Sequence, residues 1–152
     1  YIGDGNNMVH SLMYGGAKVG MHVTCACPAG YEPDPEVVAA ARADGAATGA
    51  KMDVVRDPKE AVRGADILYT DVWASMGQEA EREKRVRDFQ GYQINAELVG
   101  MANPDCIVMH CLPAHRGEEI TDDAADGAHS VLWDEAENRL HAQKAILALT
   151  MS

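Results

Sequence analysis

Four short stretches hold the side chains best suited to chemistry: GDGNN (3–7), DVWASMG (71–77), HCLPAHR (110–116) and DEAENR (134–139). Asp71 offers a fixed negative charge. Ser75 and its neighbouring backbone offer hydrogen bonds, and Gly77 allows a ligand close approach. That set suits the charged head of an amino acid. Cys111, beside His110, offers a thiol able to take part in proton transfer if a carboxylate lies near; alone it reads equally well as a buried structural cysteine. Pro113 pushes Leu112 toward an extended backbone with its carbonyl facing a ligand. Arg139 is either a planar donor for a phosphate or carbonyl oxygen, or one half of a surface ion pair with Glu135. Asn6 and Asn7 carry both donors and an acceptor, so an asparagine at a helix start can hold an ammonium and a carboxylate together.

GDGNN is also the first half of a dinucleotide fingerprint. Its third glycine is missing, since position 8 is Met, and the next strand ends in Cys27-Pro28 without the acid that holds a ribose hydroxyl. A nicotinamide dehydrogenase half is therefore disfavoured.

The elements that must position these residues alternate. Strand-like runs at 1–3, 21–27, 51–56, 65–70, 106–112 and 130–133 are separated by helical patterns at 7–19, 35–45, 58–63, 79–89, 96–102 and 135–150. Asp34-Pro35 and Asp57-Pro58 are helix starts, Asn95 and Thr121 are caps, and Gly20 and Gly64 are stops. Residues 79–89 carry opposite charges at helical spacing. Apolar strands buried on both faces and alternating with helices predict a Rossmann-like, three-layer α/β/α domain with a mainly parallel open sheet. Ligands in such sheets bind at the carboxyl ends of strands, where the four stretches fall.

A chain of 152 residues with 47% hydrophobic residues suits one domain with a real core. No apolar run is long enough to cross a bilayer. A net charge of −11 argues against nucleic acid and is compatible with a cationic small molecule. Cys25, Cys27, Cys106 and Cys111 are too sparse for a disulfide scaffold and read as reduced cytosolic thiols. Without a CxxC pair or a His-x3-His pattern, no metal site is expected. Tyr1 reads as the tail of a strand, so the chain reads as a fragment of a longer protein.

Six motifs, GDGNN, GYEPD, TDVWASMGQE, GYQINAEL, HCLPAHRGEE and EAENRLHAQKAIL, appear in an order and spacing that resemble the C-terminal half of ornithine carbamoyltransferase. They extend over essentially the whole chain. The SMGQE loop and HCLP separate it from the sister aspartate enzymes. The resemblance implies that residues 1–152 form an ornithine-binding domain, and that Asn7, Asp71, Ser75 and Met76 bind L-ornithine. It makes Cys111 the catalytic proton acceptor, with Asp71 and Arg139 beside it. Cys111, Leu112 and Arg139 become carbamoyl-phosphate contacts. It implies citrulline and phosphate as products, no cofactor, a cytoplasmic location and a homotrimeric parent, or a multiple of trimers, in arginine metabolism. A role in arginine biosynthesis or in breakdown is left open. The family's phosphate-gripping STRTR-like loop and HPxQ element lie in its other half, the N-terminal carbamoyl-phosphate-binding domain, and are absent from this chain. The chain alone is therefore expected to be inert; the rival reading is a non-catalytic amino-acid-binding module. The broad apolar coverage of the last helix predicts a surface left exposed, disordered or packed on another chain.

Overall fold

The computed structural model describes residues 1–75, 77 and 79–151. Four parallel strands are named by their ladders: β1 (Val23–Ala26), β2 (Met52–Val55), β3 (Ile67–Thr70) and β4 (Ile107–His110). β1 pairs with β2, and β3 pairs with β4. Residues 1–3 join the two pairs into one sheet. Ala26 N–H donates to Tyr1 O at 2.8 Å and Gly3 N–H to Ala26 O at 3.0 Å on one side, and Ile2 N–H donates to Tyr69 O at 2.9 Å on the other. The order is therefore β2, β1, residues 1–3, β3, β4. The strands are shorter than the apolar runs that announced them.

Side chains alternate across this sheet. Tyr1, Cys25, Cys27 and Tyr69 enter one core with α1 (Asn7–Val19) and α2 (Pro35–Gly45). Ile2, Ala26, Leu68 and Val108 enter the other core. It contains residues from α3 (Pro58–Val62), α5 (Ala96–Met101) and α6 (Asp122–Ala125). The three-layer expectation holds. The helix starts follow the sequence signals: the side chains of Asn6, Asp34, Asp57 and Asn95 each accept a backbone N–H from the first turn. Each such cap contributes about 1 kcal/mol. Thr121 sits at the start of α6 but its side chain makes no cap bond.

The charged run forms a short 3-10 turn (Glu79–Glu81) and then α4 (Arg82–Asp88). Phe89, fully buried, anchors its end between Trp73 and Tyr31, with ring centroids 5.7 and 4.7 Å away.

One sequence expectation fails outright. Residues 130–133 do not form a strand. Ser130 makes a single bridge to Val108, and α7 (Leu132–Thr150) has already begun at Leu132. Leu132 is apolar because the helix plugs its first turn into the core, not because it extends the sheet. Beyond Glu135 the helix leaves the domain: residues 136–151 are all exposed, Leu149 by 80%. No helix among the described residues is long and apolar enough to cross a membrane.

Candidate active site at the carboxyl edge

Register builds the centre of the site. Thr70 and His110 are partners at the ends of β3 and β4. The next residue on each strand is Asp71 and Cys111, and the two side chains meet: Cys111 Sγ donates to Asp71 Oδ1 at 3.0 Å. The same oxygen takes the Val72 N–H at 2.8 Å, and Oδ2 takes Asn6 Nδ2 at 2.9 Å. Asn6 is fixed from behind, because its Oδ1 receives Met8 N–H and the Tyr1 hydroxyl at 2.9 and 3.2 Å. That turns its NH2 group toward Asp71. An amide, a carboxylate and a thiol thus form a hydrogen-bonded line across three neighbouring strand ends.

The electrostatics of the line follow from burial. Asp71 is only 8% exposed. Burial, and then the hydrogen bond to Asp71 and its charge, push the Cys111 thiol well above its ordinary range. The thiol is therefore protonated at neutral pH and acts as donor to Asp71. Burial and the Asp71 charge also raise the Tyr1 phenol. Tyr69, raised by burial and by Glu135, donates from its hydroxyl to Glu135 at 2.6 Å.

A second chain of contacts supports the first. Glu135, on the first turns of α7, also accepts the backbone N–H of His110 at 3.1 Å. It therefore belongs to the strand ends rather than to an ion pair with Arg139. Arg139 lies one turn further along α7, exposed and with no ion pair among the described residues. His110 is fully buried; its Nδ1 accepts the Leu112 N–H at 2.8 Å, which leaves the proton on Nε2. Nε2 donates to Glu119 Oε1 at 3.1 Å.

The hydrogen bond from the Leu112 N–H to His110 goes with a backbone different from the one its proline neighbour predicts. Leu112 is not extended. Its φ is +54°, and the Leu112–Pro113 bond is cis. A left-handed backbone at a leucine costs on the order of 1–3 kcal/mol and persists only where surrounding contacts over-determine it. Here the imidazole bond of His110 is one of those contacts.

The expected residues do not all converge. Asn7, the first residue of α1, is exposed, and it is its neighbour Asn6 that touches Asp71. Ser75 is half-buried on the loop after Asp71. Met76 lies outside the described residues. Two residues missed in the sequence matter to the loop. Arg85 is buried in α4, where it forms a 2.9 Å ion pair with buried Asp4 and donates to Trp73 O at 2.9 Å. It ties GDGNN to the base of the DVWASMG loop. Its one signal in sequence was its place four residues before Phe89, on the buried side of an otherwise charged helix. Beside it, a polar cleft of about 530 Å³ is lined by Asp4, Asn6, Tyr31, Lys84 and Arg85.

An open parallel sheet with polar groups gathered at its carboxyl edge defines the class: a Rossmann-like domain built to bind a small molecule. Comparison with known proteins narrows it. The chain belongs to the aspartate/ornithine carbamoyltransferase family, whose Asp/Orn binding domain matches residues 1–150. It is 61% identical over 152 residues to an ornithine carbamoyltransferase of Symbiobacterium thermophilum, covering 100% of this chain and 49% of that protein. It is 58% identical over 151 residues to that of Thermococcus kodakarensis, covering 99% and 48%. The solved ornithine carbamoyltransferase of Pyrococcus furiosus superposes with a TM-score of 0.94 at 58% identity, covering 99% of this chain and 48% of that one. The Gloeobacter violaceus structure gives 0.91 at 55%, covering 100% and 50%. The chain spans about half the length of the relatives it matches.

Proposed function

We propose that this chain is the ornithine-binding half of an ornithine carbamoyltransferase. The whole enzyme transfers the carbamoyl group of carbamoyl phosphate to the δ-amine of L-ornithine, giving L-citrulline and phosphate. The observation that carries this reading is the Asn6–Asp71–Cys111 line at the sheet's carboxyl edge, in a chain of this family. Asn7, Asp71, Ser75 and Met76 hold the ornithine. Leu112 and Arg139 face the carbamoyl phosphate, with Arg139 offering its planar donors to the carbamoyl oxygen as charge builds there.

The δ-amine attacks only as a free base, so the ammonium must lose a proton first. Because the Cys111 thiol is itself protonated, it accepts that proton only by passing its own to Asp71. Asp71 is then the final acceptor and Cys111 the relay. The amine lone pair forms the new C–N bond and the carbonyl becomes a tetrahedral oxyanion; its collapse breaks the C–O bond to phosphate, and the second proton of the attacking nitrogen leaves with that phosphate. The step needs neither a metal nor an organic cofactor. The groups that grip the phosphate lie in the carbamoyl-phosphate domain of the family, so residues 1–152 alone do not turn over. The whole enzyme works as a homotrimer, or a multiple of trimers, in the cytoplasm. It serves arginine synthesis, as the name of the anabolic Pyrococcus furiosus relative suggests.

Titration calorimetry with ornithine, with and without carbamoyl phosphate, and a citrulline assay on the same chain test this. Ornithine binding without turnover supports the reading. Absence of ornithine binding both alone and with the carbamoyl-phosphate domain added overturns it. Turnover restored by that added domain separates a transferase half from a binding module.

A further inference from the structure

We propose that Glu119 is a positioning residue for the carbamoyl-phosphate side of the site: one of its carboxylate oxygens closes the loop 111–114 and, through His110, fixes the backbone of Leu112. The inference rests on the proposed function, which makes Cys111 and Leu112 contacts of carbamoyl phosphate. Glu119 Oε1 receives two donors, His110 Nε2 at 3.1 Å and the His115 backbone N–H at 2.5 Å. These donors come from the residues on either side of Cys111-Leu112-Pro113-Ala114. A single oxygen thus ties the two ends of the loop together, and the loop carries the left-handed Leu112.

Each link of the relay has a direction. The Leu112 N–H donates to His110 Nδ1 at 2.8 Å, so Nδ1 carries no proton. The ring proton sits on Nε2, where Glu119 accepts it as a hydrogen bond. A ring whose Nε2–H lacks an acceptor is free to take the other tautomer, in which an Nδ1–H confronts the Leu112 N–H and that bond is lost. Glu119 therefore selects the tautomer that holds Leu112. The acid is itself held from outside the loop. Ile94 N–H donates to Glu119 O at 2.9 Å and Thr121 N–H to Ile94 O at 3.0 Å, and Ile94 and Ile120 are both fully buried. The clamp is thus built on the core and on the segment before α5, not on the loop that it restrains.

The interior is a costly place for a carboxyl group. Glu119 is fully buried, and among the described residues its Oε2 has no hydrogen-bond partner. What the residue supplies there is one acceptor oxygen shared by both ends of the loop. A glutamine offers the same oxygen; a leucine of similar size offers none. Glu119 makes no hydrogen bond to Asn6, Asp71 or Cys111 among the described residues, so its effect reaches the site through His110 and Leu112. Its loss should therefore be felt by carbamoyl phosphate more than by ornithine.

Nitrogen NMR of the His110 ring, exchange of the Leu112 amide, and kinetics with the carbamoyl-phosphate domain added test the proposal. In the wild-type chain His110 is the neutral Nε2–H tautomer, and Glu119→Gln keeps it. Glu119→Leu populates the Nδ1–H form and speeds exchange of the Leu112 amide about tenfold. With the added domain, Glu119→Leu lowers kcat/KM for carbamoyl phosphate at least about tenfold, while ornithine binding by the chain stays near wild type. Glu119→Gln restores kcat/KM. If Glu119→Leu does not fold, two other variants decide. His110→Asn places an amide oxygen where Nδ1 stood and keeps kcat/KM better than His110→Gln, which reaches Glu119 but leaves the Leu112 N–H unpaired. A protonated Nδ1 in the wild type, an unchanged tautomer in Glu119→Leu, an equal loss of ornithine binding, or the reverse order of the His110 variants overturns the proposal. A wild-type assembly without turnover refutes the carbamoyltransferase reading instead, and the NMR outcomes still decide the clamp.

Discussion

The Cys111 thiol lies 3.0 Å from Asp71 Oδ1 and donates to it. The pair exists because β3 and β4 are in parallel register through Thr70 and His110, so the next residue of each strand emerges beside the other. A thiol in that place is held neutral and is not a standing thiolate. Replacing Asp71 by Asn removes the charge that disfavours the thiolate, while the larger contribution, burial, remains. The thiol should still titrate above its ordinary value, but lower than in the wild type. Iodoacetamide should then alkylate Cys111 about tenfold faster at fixed pH, the equivalent of one unit in pKa. Peptide mass spectrometry reads the rate; an equal or slower rate contradicts the assigned coupling.

Arg85→Met leaves the Asp4 carboxylate buried without its cation. Breaking such a pair costs about 3–5 kcal/mol. The cost depends on pH. Burial raises Asp4 above its ordinary 3.8, and Arg85 pulls it back down. Without Arg85 the folded-state value rises further, so folding favours the protonated acid. Below the unfolded value Asp4 is neutral in both states and this part of the defect vanishes. The defect therefore grows as pH rises from about 4 toward 7. Urea unfolding of both chains across that range measures it; a pH-independent difference would show that Asp4 is not the group left exposed to the loss.

Asn6 and Asn7 separate stability from binding. Asn6→Ala removes a helix cap and a partner of Asp71, so it should cost about 1–2 kcal/mol. Asn7 is exposed, and Asn7→Ala should stay within about 0.5 kcal/mol of wild type. On the proposed function it nonetheless weakens ornithine binding. Thermal unfolding and ornithine calorimetry on the two variants give opposite rankings if both statements hold.

Glu135→Ala removes the acceptor shared by the Tyr69 hydroxyl and the His110 N–H. Two polar groups near the strand ends lose their partner, at about 1–3 kcal/mol each where they stay dry. Hydrogen exchange at His110 and along the first turn of α7 should accelerate more than exchange in α1. Uniform acceleration would mean that Glu135 supports the whole fold rather than the junction of α7 with β3 and β4.

The sequence displayed the layers and the carboxyl-edge stretches plainly, because alternation, caps and glycine stops are local. Asp34, Asp57 and Asn95 cap as their spacing requires. What it hid is non-local. Nothing adjacent to Arg85 marks it as buried, since its partner Asp4 lies 81 residues away. Leu112 looked extended because the proline rule is local, whereas the His110 ring that takes its N–H depends on how the chain folds back after β4. Residues 130–133 looked like a strand because one buried helical turn has the same apolar composition as a short strand.

The free end of α7 yields the last prediction. Residues 136–151 are all exposed, including Leu140, Ile146, Leu147 and Leu149. A helix gains most of its stability from burying an apolar face, and the apolar side chains of this segment stay exposed among the described residues. Removing residues 141–152 therefore deletes no core contact among the described residues. The urea midpoint of the shortened chain should match that of the full chain. Its self-association should not match, because exposed leucines and isoleucine on one helix attract one another in water. Sedimentation velocity at rising concentration should show the full chain associating and the shortened chain remaining monomeric. A lowered urea midpoint in the shortened chain would mean instead that α7 folds back onto its own domain in solution, and that its apolar residues serve the core this chain already contains.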